Sequence, residues 1–506
     1  MNLVCKESNL SSSNFPELEI NNELLIKAFH NKNYEKSINF SKALLNTNKF
    51  NVLAFNVLAL SYSAINQKDA AIRTFLEAIN YNPNNNELYN NISNIYLEKK
   101  DYTNSIINAN KAVKLNPNCS KSYFTLGVCY HALQEIEKAH SSFKKSFKLD
   151  KSNHEALLQV GNIYKDQKKF SKALEIYRLF QKLFPNLTSG FYNEGTIHLR
   201  NQRFRIGWEK YEIALKDNSR SIIDGYYSET KALWDGKPFD GTLLIYGEQG
   251  LGDQIFFGTA LKDLLKIQKK IILKVNKKLL NFFSYNFKGL KTYSESDDVP
   301  KNSYEKYIAI GSICKFLRND VSSFKNSTFK SFTVPKTKLN LRENFINQKP
   351  IIGISWYTTA LKTGVNRSLT TSEISKIINF TGYNYVNLQY GNNNDQIRDI
   401  QQRTNNSLFT YPGLDLTNDF NRLSNLILEC DLVLTIDNTT AHLSSSLGKK
   451  TWILLPYSAD FRWLEGKTTS LWYPSAKLFR QSSNKKWDLT IMEVLKELQA
   501  IELKEY

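Results

Sequence analysis

"DLVLTIDNTTAHLSSSLGKKTWILLP" (431–456) reads as strand, turn, helix and strand in immediate succession. The apolar run "DLVLTI" predicts a buried strand that ends at Asp437. A short helix is predicted to begin around Thr439–Ala441 and to stop at Gly448, before a second apolar run, "TWILLP". Asn438, Thr439 and Thr440 supply amide and hydroxyl groups where a helix start leaves backbone N–H groups unpaired. Such a start favours a diphosphate without help from a metal. His442, the only histidine after His198, falls in the first turn. It has two readings, a contact to that anion or a sugar hydroxyl, and a structural histidine of the core.

Working outward, the same strand signal recurs. "TLLIYG" (242–247), "IILKVN" (271–276), "YIAIGS" (307–312), "IIGISW" (351–356) and "YVNLQY" (385–390) are short apolar runs, many of them separated by helix-like segments. This pattern predicts α/β units with parallel strands buried on both faces. Two sets are distinguished, 241–335 and 350–485, joined by the polar, proline-bounded "VPKTKLNLRENFINQKP" (334–350). A C-terminal helix is predicted over 487–503. Two Rossmann-like lobes facing a cleft place a ligand at the C-terminal ends of their strands.

The first strand of the first set runs into "GEQGLGDQIFFGTALKDLL" (247–265). Its G-x-x-G-x-G-D pattern matches neither the dinucleotide fingerprint nor the P-loop. What remains is a strand-to-helix turn that presents Asp253 near a helix start. A capping carboxylate fits that position, and so does a catalytic one.

Upstream the period changes. Tyr62, Tyr96, Tyr130 and Tyr164 recur every 34 residues, and so do the small residues Ala71, Ser105, Ala139, Ala173 and Gly207. The best-preserved unit reads Tyr123, Leu126, Gly127, Tyr130, Ala139, Phe143. It resembles the tetratricopeptide pattern, a helical hairpin whose small residue lets the two helices approach. Units run from 52–85 to 188–221, with a degenerate one at 18–51, so the array spans 18–221. Hairpins of this kind stack into an α-helical superhelix with a groove that takes a protein or peptide, or that supports the rest of the chain.

Composition narrows the class. The chain has 506 residues, 41% of them hydrophobic and 23% charged, enough for several cores. No apolar run approaches the roughly 18–20 residues that cross a bilayer. "MNLVCKESNLSSSNFPELEI" has no apolar signal region, and the five cysteines lack CxxC spacing. A cytoplasmic protein without a structural zinc site is expected. The net charge of +19 is spread over dispersed lysines, with no arginine–aromatic patch for nucleic acid. Peripheral association with the inner face of the membrane is the alternative use of that charge.

"EQGLGDQIFF" together with "DLVLTIDNTTAHLSSSLGKKTWILL" resembles the heptosyltransferase-like family 9 glycosyltransferases, in particular a bacterial branch in which tetratricopeptide repeats precede the transferase. "LQYGNNNDQI" (388–397), "LPYSADFRWL" (455–464) and "WYPSAKLFRQ" (472–481) are similar to that branch too. The resemblance covers 241–485. It implies a GT-B fold, with the acceptor on the N-terminal lobe and the nucleotide-sugar donor on the C-terminal lobe. Transfer would invert the sugar and use no metal or other cofactor, the nucleotide-diphosphate sugar being substrate.

By the same resemblance Asp253 matches the family's catalytic aspartate, a general base for the acceptor hydroxyl. Gly250, Leu251, Gly252 and Gln254 form the acceptor-side loop around it. The donor motif D-[TS]-x-x-x-H matches Asp437, Asn438 and His442, with Asn in place of Ser/Thr and with Thr439 and Thr440 at the helix start. The family sets basic residues against the diphosphate in the region of "SWYTTALKTGVNRSLT" (355–370), which offers Arg367 and Lys362; solvated loop charges are the other reading of both. Asp460, Arg462 and Trp463 are further candidates for the substrate cleft. The acceptor is a glycan, a lipid-linked sugar or a protein. Two alternatives stand beside a hexosyl or heptosyl transferase: a repeat scaffold with an inactive nucleotide-sugar-binding domain, and a protein O-GlcNAc transferase-like enzyme.

Overall fold

The structure, a computed structural model, describes residues 21–216, 231–324, 330–360 and 364–501. It divides into two compact units at Ile163/Tyr164. Twelve helices, from Asn22–His30 to Phe204–Ile213, make up the repeat region. Lys32, Asn66, Lys100, Gln134, Lys168 and Gln202, 34 residues apart each time, all sit at φ between 58° and 63°. Each occupies the turn inside one hairpin, so six hairpins share one backbone register, the degenerate first one included. Residues 18–20 and 217–221 of the expected array lie outside the described residues.

Local chemistry explains the hairpins. Asn21, Asn33, Asn51 and Asn85 each cap a helix, the Asn51 side chain accepting from Ala54 N–H at 3.0 Å. Ala71, Ser105 and Ala139 are fully buried. In the hairpin Ser120–Ala132 and Ile136–Leu149, a Cβ on Gly127 would fall 2.6 Å from Phe143 Cδ1. The ring takes the space that the missing side chain leaves.

The second unit carries two parallel sheets. The first comprises β1 (Ala232–Leu233), β2 (Leu243–Tyr246), β3 (Ile271–Val275), β4 (Lys291–Ser294) and β5 (Lys306–Ala309), ordered β1-β5-β2-β3-β4. The second comprises β6 (Ile351–Ser355), β7 (Asn384–Asn387), β8 (Leu408–Phe409), β9 (Leu432–Ile436), β10 (Thr451–Leu455) and β11 (Ala476–Arg480). Its order, β11-β10-β9-β6-β7-β8, is the doubly wound 3-2-1-4-5-6 arrangement. β2, β6, β9 and β10 are buried along their whole length. The helix Asp488–Ala500 closes the described chain.

The two sheets are joined through their helices. The helix Leu251–Gly258, which follows β2, packs on the helix Thr439–Ser446, which follows β9. Phe256 lies against Trp472 with ring centroids 4.2 Å apart and edge-on to His442 at 5.5 Å. One contiguous apolar core includes Phe256, Phe257, Ala441, Leu443, Phe461 and Trp472. This helix-to-helix contact forms because the helix after β2 carries Ile255, Phe256 and Phe257, which need cover.

The last repeat hairpin, Ser189–Arg200 and Phe204–Ile213, belongs to this same core. Trp208 is buried, donates its indole N–H to the Arg318 carbonyl at 2.8 Å and packs edge-on to Phe461 at 6.0 Å. Gly195 lets the hairpin close, since a Cβ there would fall 2.9 Å from Gly207 O. Arg200 donates Nη1 to Ser458 Oγ at 3.0 Å, and both Arg200 and Lys168 pair with Glu465.

Candidate functional site

Both sheets have a crossover at which strand order reverses, and both crossovers are bridged by a side chain. In the first, Glu248, fully buried just past β2, accepts Gly311 N–H at 2.9 Å beyond the end of β5. In the second, Asn438 just past β9 donates Nδ2–H to Ser355 Oγ at the end of β6, at 2.8 Å. Its Oδ1 accepts Ala441 N–H at 3.2 Å and Thr435 Oγ–H at 3.1 Å. Asn438 is therefore the cap of the Thr439–Ser446 helix as well as the bridge between strands.

The glycine-rich turn is organised by close approach more than by unusual backbone angles. The residue in the left-handed region is Gln249, at φ 57°. A Cβ on Gly252 would fall 3.0 Å from His442 Cδ2 and 3.4 Å from Thr439 Cα. The turn after β2 and the helix start after β9, nearly two hundred residues apart in sequence, meet at this glycine. Gly250 is the cap of the Leu251–Gly258 helix, and its N–H is accepted by Asp253 Oδ2 at 3.0 Å. Leu251 packs on the apolar core. Gln254 is buried, and its Oε1 accepts Asn276 N–H at 2.9 Å, tying the helix to the end of β3.

The other oxygen of Asp253, Oδ1, accepts from Arg462 Nη2. Arg462 Nη1 reaches Asp460 Oδ1 at 2.5 Å, and Nη2 also lies 3.3 Å from Gln249 Oε1. Burial works against the Arg462 charge, yet Asp253 and Asp460 hold the guanidinium protonated well above its usual range. Burial likewise opposes ionisation of Asp460, and Arg462 overrides it, keeping that carboxyl below the ordinary range.

Asp437 lies deeper. Its Oδ1 accepts the Trp463 indole N–H at 2.8 Å, and Arg367 Nη1 is 3.4 Å from Oδ2. Burial raises its carboxyl above the ordinary range against the pull of Arg367. His442 Nδ1 lies 3.1 Å from the Tyr473 hydroxyl. Burial, reinforced by the Arg462 charge, pushes the imidazole down to about 3, so it is neutral at physiological pH. Thr440 Oγ1 and Arg367 Nε are buried without a hydrogen-bond partner, and Thr439 forms the first residue of the helix. Lys362 lies outside the described residues.

The candidates named by sequence thus fall into two touching groups, Gly250–Gln254 with Asp460 and Arg462, and Asp437–His442 with Arg367 and Trp463. Several neighbours were not singled out from the sequence, although Gln389 and Tyr390 lie in "LQYGNNNDQI". Gln389 is buried and accepts N–H groups of Trp356 and Tyr357 at 2.9 and 2.8 Å, fixing the loop beyond β6. The Tyr390 hydroxyl is 3.3 Å from Thr358 Oγ1. Tyr211, from the last repeat helix, accepts Gln249 Nε2–H at 2.6 Å. The arrangement offers a partly exposed carboxylate, a helix start with the unpartnered Thr440 hydroxyl, the buried Arg462 guanidinium on one side and the partly exposed Arg367 on the other.

Similarity to known proteins covers the repeats most densely. Tetratricopeptide-repeat models match residues 53–85, 87–119, 120–153 and 155–187, and this part of the chain is a tetratricopeptide repeat array. Protein FlbA of Caulobacter vibrioides is 26% identical over 333 residues, 60% of this chain and 54% of its own length. The chain therefore spans about half the length of that curated relative. Among solved structures, Pseudomonas aeruginosa PilF is 16% identical, covering 39% of this chain and 89% of its own at a TM-score of 0.35. YrrB, described as a TPR protein with an unusual peptide-binding site, is 18% identical over 35% of this chain and 90% of its own, at 0.30. MamA of Desulfovibrio magneticus is 15% identical over 32% and 93%, also at 0.30. No described helix is long and apolar enough to cross a membrane.

Proposed function

We propose that the chain is an inverting glycosyltransferase of GT-B type that moves a sugar from a nucleotide-diphosphate sugar to an acceptor hydroxyl without a metal, its repeats binding the acceptor or a partner protein. The observation that carries this reading is the meeting of the two motifs at Gly252, where the turn bearing Asp253 abuts Thr439 and His442. A base and an anion site must be adjacent for in-line displacement at a sugar carbon.

In this reaction Asp253 takes the acceptor proton while the acceptor oxygen attacks the anomeric carbon. The bond from that carbon to the diphosphate oxygen breaks on the opposite face, and its electron pair leaves with the nucleotide. The charge that develops on the leaving group is met by the start of the Thr439–Ser446 helix, the unpartnered Thr440 hydroxyl and Arg367. A neutral His442 donates or accepts a hydrogen bond there without adding charge. A general base of this kind contributes about 10²–10⁴-fold in rate.

One observation favours a second reading, a repeat scaffold whose nucleotide-sugar site no longer reacts. Both oxygens of Asp253 already hold hydrogen bonds, one capping a helix and one on Arg462. The two readings separate on a thermal-shift and turnover screen with UDP-, GDP-, ADP- and dTDP-linked sugars. Transfer requires nucleoside diphosphate release by the unsubstituted protein and its loss in Asp253→Asn, with the donor-induced shift retained. A shift without turnover for any donor favours the scaffold. Glycosite mass spectrometry of cell proteins separates a protein acceptor from a glycan or lipid.

A further inference from the structure

We propose, on the transferase reading above, that Arg462 is the positioning residue for the Asp253 carboxylate and that the last repeat hairpin holds it in place through Tyr211 and Gln249.

Four side chains form a continuous chain of hydrogen bonds. Tyr211 is fully buried in the helix Phe204–Ile213, and its oxygen accepts Gln249 Nε2–H at 2.6 Å. Gln249 turns its amide oxygen the other way, 3.3 Å from Arg462 Nη2. That nitrogen is also the one on Asp253 Oδ1. Arg462 is held on two further sides, and its buried Nε has no hydrogen-bond partner. Asp460 accepts from its backbone N–H at 3.1 Å and from Nη1 at 2.5 Å, and the guanidinium lies 4.6 Å from the Phe461 ring centroid and 5.4 Å from that of Phe256.

The result is a carboxylate whose plane is set at both ends, Oδ2 by the Gly250 N–H and Oδ1 by the guanidinium. Each carboxylate oxygen has two acceptor sites, so one on each remains for an incoming hydroxyl. The Asp253 side chain keeps 23% exposure, whereas Arg462 keeps 8%. The exposed edge is therefore the acceptor's, and the buried edge belongs to Arg462. A planar fork can hold Asp253, Asp460 and Gln249 together, and a lysine ammonium at the same place cannot reproduce that geometry.

This makes the final repeat a wall of the reaction site. It contributes one phenolic oxygen that orients the left-handed Gln249, and Gln249 orients Arg462. Positioning acts on the chemical step, so its loss lowers kcat and leaves donor KM alone.

The test uses the full chain and the nucleotide sugar that gives the highest turnover in the panel of UDP-, GDP-, ADP- and dTDP-linked sugars. Tyr211→Phe removes a single oxygen and is the milder variant; Arg462→Lys keeps the charge and loses the fork. We expect kcat to fall about tenfold in the first and about a hundredfold in the second, with donor KM within twofold of the unsubstituted protein. Exchange of the Arg462 Nη2 protons, which lie on Gln249 and Asp253, followed by NMR, should quicken at least tenfold in Tyr211→Phe. Unsubstituted kcat in both variants beside an inactive Asp253→Asn overturns this proposal and leaves the transferase reading standing. Unchanged Nη2 exchange in Tyr211→Phe overturns it as well. Absence of turnover in the unsubstituted protein, or full turnover by Asp253→Asn, overturns the transferase reading and this proposal with it.

Discussion

The imidazole of His442 lies stacked on the indole of Trp463, with ring centroids 5.0 Å apart and planes within 14°. The pair sits at the base of the site, His442 beside Gly252 and Trp463 on the Asp437 carboxylate. Because the stack excludes water, protonation of His442 is costly, and this has a measurable consequence.

A histidine that folds neutral loses stability as pH falls. Its ordinary value is about 6.5, and burial with the nearby Arg462 charge pushes it to about 3 here. Between those values the unfolded chain binds a proton that the folded chain does not, so stability rises with pH across that window and falls as the solution is acidified. The slope contributed by one such group is at most about 1.4 kcal/mol per pH unit. His442→Phe keeps an aromatic ring and should flatten the pH dependence of urea unfolding between about pH 6.5 and 4.5. All seven tryptophans lie at Trp208 or later, so tryptophan fluorescence reads the second unit specifically. Equal slopes in the two proteins would contradict the assignment.

Trp463→Phe should cost about 1–3 kcal/mol, the penalty for leaving a buried acceptor without its donor. Asp437 Oδ1 accepts the indole N–H at 2.8 Å in a site that the solvent does not reach. The unfolding midpoint followed by tyrosine fluorescence or circular dichroism would move down; an unchanged midpoint would deny Asp437 this anchoring role.

Gly252→Val should destabilise the second unit by about 1–3 kcal/mol, because branched carbon placed against a ring and a backbone atom forces both to shift. Gly252→Ala should be nearly neutral: its Cβ needs a few tenths of an ångström from His442, and alanine regains about 1 kcal/mol of helix propensity over glycine. The contrast between the two, read by urea denaturation, tests whether the two motifs truly touch.

In the repeats, Gly127→Ala should lower stability by about 1–3 kcal/mol, since its Cβ would fall 2.6 Å from a buried phenylalanine ring. Phe143→Leu removes the obstructing ring atoms. The double variant should therefore be less unstable than the sum of the singles, a positive coupling in a double-mutant cycle of thermal unfolding by circular dichroism. Additive losses would place the two residues out of contact.

The seven apolar runs read from sequence all became strands, β2, β3, β5, β6, β7, β9 and β10. The four strands without such a run, β1, β4, β8 and β11, are the four edges of the two sheets. The reason is physical. An interior strand of a parallel sheet is covered on both faces and flanked on both sides, so its sequence must be apolar throughout. An edge strand is flanked once and is less covered. β4, "KTYS", has one buried residue out of four, and no run of that kind stands out against a loop.

The site divides along the same line. The placement of Asp253, Asp437 and His442 at strand-to-helix turns was legible, because helix-start chemistry limits which residues serve there. Of their partners, Arg367, Arg462 and Trp463 stood among the candidates, and Tyr211 did not. Tyr211 reads as one more aromatic of a repeat, while Gln249 and Tyr473 fall inside motif stretches without being singled out. Nothing in the local pattern tells that a repeat tyrosine and a turn glutamine share a hydrogen bond across 38 residues.

The sequence by itself determined the repeat register, the alternation of strand and helix, and the two turns that carry polar chemistry, since all three are set by contacts within a few dozen residues. Only the tertiary structure decided that these turns meet at Gly252, that the last hairpin joins the α/β core, and that Asp253 is held by Arg462. Those outcomes depend on which apolar faces cover one another, and many different surfaces can bury a phenylalanine equally well.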